Sequence, residues 1–401
     1  MAGSPRAPWQ LDPDVRFLNH GSFGACPVPV LDAQARWRDR LGAEPVAFFA
    51  ALESRLDEAR AAVGGFLGAD PEGLAFVPNA TTAIATVLAS IRFRPDDELL
   101  TTDHEYNAIL NSLRAAAGPD GATVRIVHLP FPVADPAIVS ERILAAVTPR
   151  TRLALVSHVT SPTGVVLPIE TIVPELQARG VDVIVDGAHA PGQVALDLDR
   201  LGAAYYAGNG HKWVCAPKGC GFLWVRADRR DRIRPLVTSH GANDPRTDRS
   251  RFRLMFDWVG TADPTAALSM PDAIRTMAGL EPDGWDGVRA ANRSLALRIR
   301  DLLAGGLGSP PAQPASMVGS MVAAPLTRLA GADDAAATAL HDALLREDRI
   351  EVPIGLWPVR AARVPGGPSP IPIVRVSAQR YVGLEDVEAL IAALGRRGLA
   401  G

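Results

Sequence analysis

The sequence predicts an α/β fold: a large, mostly parallel sheet covered by helices on both faces, followed by a smaller α+β unit. Three observations carry this prediction. Apolar runs of strand length alternate with amphipathic helical segments through most of the chain. The runs themselves, such as Val-Asp-Val-Ile-Val ending at 185, are nearly all apolar, as strands buried on both faces are. Polar clusters recur where those runs end, the edge at which open α/β sheets build their sites. A chain of 401 residues is long enough for two sub-domains with a common core. The expected division is 15–262 for the large unit and 263–401 for the small one, with the N-terminal segment 1–40 a candidate to pack with the latter.

Taken in order, a short strand over 15–18 runs into a Gly-bounded turn that presents Asn19, His20 and Ser22. Helices follow over 28–41, after Pro27, and over 52–66. Strand 74–77 delivers Pro78-Asn79-Ala80-Thr81-Thr82 to a helix ending near 91. Strand, small polar turn and helix N-terminus together make an anion site of free amides and hydroxyls. Asn and Thr are also ordinary helix caps. Strand 98–101, the cluster Asp103-His104-Glu105-Tyr106-Asn107 and a helix to 116 come next. The pattern repeats as strand 123–129, helix 136–147, strand 152–156, helix 169–177 and strand 181–185. Residues 204–207 lead to a Gly-rich loop, and strand 221–225 is placed at an antiparallel edge. The polar, Arg-rich stretch 238–257 reads as loop. Helices over 264–277 and 285–303 lead into the small unit: strand 316–323, helix 333–347, strands 350–354 and 371–377, helix 384–394. A Pro/Gly-rich loop is predicted over 363–370.

Composition excludes several classes. Net charge is −3 with a pI near 6.3, and the arginines are scattered among acids. Neither a nucleic-acid groove nor an acidic-membrane surface fits that balance. No apolar run is long enough to span a bilayer, and residues 1–13 lack a signal-peptide pattern. Cys26, Cys215 and Cys220 make no metal or disulfide framework, so a cytoplasmic location is the expectation. No histidines stand at metal-ligand spacing, and none is expected to hold a metal.

The chemical signal is a count. Of 41 basic residues only two are lysines, Lys212 and Lys218, and Lys212 stands in Gly208-Asn209-Gly210-His211-Lys212-Trp213. Arginine can bind a carboxylate as well as lysine does, but its protonated guanidinium forms no imine. A lysine amine can, and the commonest use of that ability is an imine with pyridoxal phosphate. Asp186 ends the apolar run 181–185, so it should be desolvated and in need of a cationic partner. A protonated pyridine nitrogen would serve; a helix cap or an arginine-paired structural carboxylate is the alternative.

These residues resemble the class V aminotransferase group of pyridoxal-phosphate enzymes, and within it the isopenicillin N epimerase-like members. The likeness runs over about 15–391. Its motifs are Leu18-Asn19-His20-Gly21-Ser22-Phe23-Gly24, Asn79-Ala80-Thr81-Thr82, Asp103-His104-Glu105-Tyr106, 157–164, Asp186-Gly187-Ala188-His189, Gly210-His211-Lys212-Trp213, Gly260-Thr261 and Arg375-Val376-Ser377. The resemblance implies the PLP-dependent transferase (aspartate aminotransferase-like) fold and pyridoxal 5'-phosphate as cofactor. It also implies a homodimer with shared active sites, in which Thr261 contacts the phosphate held by the neighbouring subunit. Lys212 looks like the imine lysine, Asp186 like the partner of the ring nitrogen, and His189 like a donor to the ring hydroxyl. His104 would stack on the ring, and Thr81, Thr82, Asn209 and His211 would form the phosphate cup. Arg375 resembles the arginine that grips an amino acid's α-carboxylate, a bidentate task.

Some positions depart from the epimerase-like pattern: Ser239-His240-Gly241 in place of Ser-Trp-Gly, Phe256-Asp257-Trp258, and Gln379-Arg380-Tyr381-Val382. These lie where substrate recognition is expected, and Asn19, Ser161 and His240 join Arg375 as candidates there. Residues 355–370 contain no cysteine, which argues against persulfide chemistry. The resemblance extends to enzymes that cleave C–S bonds of cysteine conjugates in natural-product metabolism. Because the departures sit at substrate-side positions, the expected activity is C–S β-lyase of that kind, with amino-acid epimerase as the alternative and transamination third. Epimerisation needs a second acid opposite Lys212, for which His20 and Tyr106 are the candidates.

Overall fold

In the computed structural model, which describes residues 8–363, 367 and 369–401, the architecture is α/β. Seven strands form the main sheet in the order Leu74–Val77, Gly221–Val225, Tyr205–Asn209, Asp182–Gly187, Thr151–Ser157, Glu98–Thr102, Thr123–Val127. The last five are mutually parallel, and Gly221–Val225 is antiparallel to both neighbours.

The apolar strand sequences are explained by two-sided burial. Val183 and Val185 enter one core, with Val156, Tyr206 and Trp224. Ile184 enters the other, with Leu155, Tyr205 and Leu223. Helix Ile169–Ala178 covers the first face; Ala80–Ser90 and Asn107–Ala117 cover the second. Each such side chain contributes about 1.5–3 kcal/mol by leaving water. A third core joins the long helix Gly284–Leu307 to Leu384–Arg396 and to a three-stranded antiparallel sheet, Ile354–Trp357, Ile371–Ser377, Met321–Pro325. Arg16–Phe17 pairs in parallel with Ile350–Glu351, which ties the N-terminal segment to that unit. Among the described residues no helix is long and apolar enough to cross a membrane.

Several local expectations are corrected. Strand Gly221–Val225 is antiparallel but not at the edge, because Leu74–Val77 pairs along its outer side. The turn after Leu18 is a single helical turn, His20–Phe23. An additional helix, Pro45–Ala50, starts at a proline, whose fixed φ suits a first helical turn. The stretch 238–257 contains a buried helix, Arg251–Phe256. Its arginines are neutralised: Arg253 pairs with Asp57, Asp257 and Glu72, so a polar-looking string packs Phe252 and Phe256 inward. The helix over 264–277 is two, Thr265–Leu268 and Met270–Ala278, since Pro271 cannot donate to the preceding turn. The strand over 350–354 splits at Pro353, and its halves join different sheets. Half of the loop read over 363–370, residues 364–366 and 368, lies outside the described residues.

Candidate active site

The C-terminal ends of the central parallel strands border a cavity of about 230 Å³. Ser157, Asp186 and Asn209 reach it from three strand ends. Asn79 and Thr81 come from the turn after Leu74–Val77, and His211 and Lys212 from the loop after Asn209.

That loop is locked by its own backbone. Gly210 N–H donates to the Cys220 carbonyl at 2.9 Å, and Ala216 N–H to the Gly210 carbonyl at 3.0 Å. Gly24, at φ 65°, lets the N-terminal segment press against it; a Cβ there would collide with the His211 carbonyl. Lys212 Nζ stands 2.9 Å from His189 Nε2. Burial, with the charge of Arg375 adding to it, pushes the Lys212 ammonium down to about 7 against the opposing pull of Asp186. The other lysine faces elsewhere: the Lys218 ammonium donates to the Gly24 carbonyl.

Asp186 is 5% exposed and forms no ion pair among the described residues. Its Oδ1 accepts Ala188 N–H at 2.8 Å, and burial raises its pKa. His189 is kept neutral first by burial and then by Lys212. Its Nδ1 is buried without a hydrogen-bond partner among the described residues. At the opposite corner Asn79 caps helix Ala80–Ser90 by accepting Thr82 N–H at 2.9 Å, and Asn209 Oδ1 accepts Ala80 N–H at 2.8 Å. An eleven-residue helix thus points its positive end at the cavity.

Arg375 lies directly behind the wall. Its guanidinium donates to the Ser161 carbonyl, to Ser22 Oγ at 3.0 Å and to Asn19 Oδ1 at 3.5 Å. Ser22 and Ser161 themselves line the cavity. No carboxylate pairs with Arg375 among the described residues, its Nε has no partner, and burial lowers its pKa to about 10. A buried, uncompensated guanidinium is an anion site in waiting.

Of the residues singled out in the sequence, Lys212, Asp186, His189, Thr81, Asn209, His211, Tyr106 and Ser161 line this one cavity, with Arg375 and Asn19 behind it. Five do not. His20 is fully buried; its Nδ1 meets Tyr381 OH at 2.7 Å and its Nε2 the Lys212 carbonyl at 3.1 Å. It therefore braces the lysine loop from behind rather than facing Cα. His104 is also fully buried, with Nδ1 2.7 Å from Thr163 Oγ1 and its ring against Trp357 and Phe131, while Tyr106, two residues on, reaches the cavity. The Thr82 hydroxyl turns back to Asn79 Oδ1. Thr261 and His240 are exposed and stand off the wall. Two residues had gone unassigned: Ser22, which positions Arg375, and Glu105, which meets Asp186 behind the wall. The signal for Glu105 was an acid just past a buried strand with no lysine or arginine near it in sequence.

Comparison with known proteins decides the family. The aminotransferase class-V family model matches residues 44–390. The chain belongs to the class V aminotransferase family. This class V chain is 39% identical to isopenicillin N epimerase of Amycolatopsis lactamdurans, over 96% of its own length and 95% of that protein's. It is 35% identical to putative L-cysteine desulfhydrase 1 of Oryza sativa subsp. japonica, over 95% and 83% of the two. In fold it resembles the apo structure of a cysteine desulfurase from Thermococcus onnurineus, with a TM-score of 0.78 and 20% identity over 98% and 96%. The enzyme's cofactor is pyridoxal phosphate. The cavity fits it: an amine titrating near neutrality, a buried carboxylate, the unpartnered His189 Nδ1 and a helix N-terminus together match its aldehyde, ring nitrogen, hydroxyl and phosphate.

Proposed function

We propose that this enzyme is a C–S β-lyase acting on a cysteine conjugate. The observation that carries the proposal is the position of His20. Epimerisation needs a second acid across Cα from Lys212; of the two candidates, His20 is committed to Tyr381 and the Lys212 carbonyl, which leaves Tyr106 alone for that role. Elimination needs one base at Cα, and the cavity has it in Lys212.

Bound pyridoxal phosphate supplies an aldehyde carbon that takes up the amino group and a ring that accepts the electron pair released at Cα. The chain's own residues do the rest. Thr81, Asn209, His211 and the amides of helix Ala80–Ser90 hold the phosphate, with Thr82 supporting through its cap; Thr261 of a neighbouring subunit completes the cup in a homodimer. Asp186 holds a proton on the ring nitrogen, and His189 orients the ring hydroxyl. Arg375 grips the α-carboxylate, steadied by Asn19 and Ser22, while Ser161 shapes the wall beside it. Lys212 Nζ takes the Cα proton. Tyr106, at the mouth, is the acid available to the leaving sulfur. Among the described residues no cysteine lines the cavity, so the sulfur leaves as a free thiol rather than passing to a protein thiol.

The test is incubation with S-substituted cysteines in deuterated water. Pyruvate and thiol should appear, with no inverted, labelled amino acid. Recovery of substrate inverted and deuterated at Cα, without keto acid, would establish the epimerase instead and make Tyr106 its second acid. For the carboxylate site, Arg375→Lys keeps the charge but loses the planar fork. KM for the amino acid should rise about 30-fold, roughly 2 kcal/mol, with cofactor absorption unchanged. An unaltered KM would put the carboxylate elsewhere.

A further inference from the structure

Glu105 is fully buried and forms no ion pair among the described residues. Its surroundings are polar but uncharged on two sides: Tyr106 N–H donates to Oε1 at 2.7 Å, and Ser157 Oγ donates to Oε2 at 2.9 Å. On the third side lies the carboxyl of Asp186, the strand partner of the Ser157 that Glu105 bonds. Register explains the meeting, since Ser157 and Asp186 are direct partners on adjacent parallel strands. Two carboxyls this close in a dry site cannot both be ionised, so they hold a proton between them. The surroundings decide which keeps it. Asp186 has the Ala188 amide on Oδ1 and the attraction of Lys212 to favour its charge. Glu105 has no cation, and burial and repulsion from Asp186 both push its pKa well up. Behind Asp186, Tyr206 is tied to His158 at 2.9 Å and is itself held protonated by burial.

We propose that Glu105 is a positioning residue that remains a neutral carboxylic acid and donates a hydrogen bond to Asp186, holding that carboxylate for the ring nitrogen of the cofactor. This rests on the reading of Asp186 as the ring-nitrogen partner. The bond uses one lone pair of Asp186 and leaves others aimed into the cavity. It also keeps the site at a single negative charge. An ionised Glu105 would add a second charge, and an apolar residue would leave Asp186 free to rotate.

Two variants separate these outcomes. Glu105→Gln keeps a donor and cannot ionise; Glu105→Leu removes the donor. In the cofactor-free protein at neutral pH, infrared spectroscopy should show the carbonyl stretch of a buried carboxylic acid, lost in Glu105→Gln. Cofactor affinity should stay within about threefold of wild type in Glu105→Gln and fall about tenfold in Glu105→Leu, the loss of one charge-assisted hydrogen bond. The pH at which the bound cofactor changes absorption should move only in Glu105→Leu. A missing acid band in the wild type overturns the proposal, as does a Glu105→Gln variant that behaves like Glu105→Leu. If instead Asp186→Asn leaves the cofactor's spectrum and pH response unchanged while the Glu105 band persists, the reading of Asp186 has failed and the protonation state of Glu105 has not.

Discussion

Replacing Lys212 by alanine should lower turnover of every amino-acid substrate by about 10³-fold or more, because on the proposed reading the base at Cα and the amine that anchors the cofactor are one group. Borohydride treatment of the wild type should fix cofactor on the peptide containing Lys212 and leave Lys218 unmodified, whose ammonium is held by the Gly24 carbonyl. Label on Lys218 would contradict the assignment. A pH signature accompanies this. The amine is the nucleophile, and it is held near 7 rather than at the ordinary value of about 10.4. Capture of cofactor by the free protein should therefore quicken as pH rises through 7 and level off above it. An unperturbed lysine would go on accelerating for three further units. In Lys212→Ala the dependence should vanish with the reaction.

The second large effect is expected at Asp186. On the proposed reading of Asp186 as partner of the ring nitrogen, asparagine there keeps the size and one acceptor but removes the charge that would keep that nitrogen protonated. Exchange of the Cα proton with solvent should slow on the order of 10³-fold, while the cofactor still binds through Lys212 and the helix terminus. Following loss of a Cα deuterium isolates this step from sulfur departure. Wild-type exchange in Asp186→Asn would mean that the electron sink does not depend on this carboxylate. Because Asp186 also receives the Ala188 amide, its turn should be preserved in the variant, and a melting temperature close to wild type is part of the expectation.

Much of this was legible in the chain read as a string. Strand and helix order followed from apolar runs and their spacing, because burial on both faces of a parallel sheet leaves a local mark at every strand. Lys212 stood out since lysine is nearly absent elsewhere, and Asp186 since it ends a buried run. The helix-terminus site at Asn79–Thr81 was readable because capping chemistry is local. What the tertiary structure alone decided lies in contacts between distant segments. His20 meets Tyr381 across 361 positions, and Arg375 reaches Ser161 across 214. His104 points at Trp357 of the small sheet, and so Tyr106, not His104, faces the cavity. Gly221–Val225 lost its edge position to a strand from the other end of the large unit. Periodicity gives the face a side chain takes but not which side chains the other strand or loop brings to meet it. For charged and hydrogen-bonding groups that partner sets the role: the same buried carboxyl is a charge at Asp186 beside Lys212 and an acid at Glu105 beside Asp186.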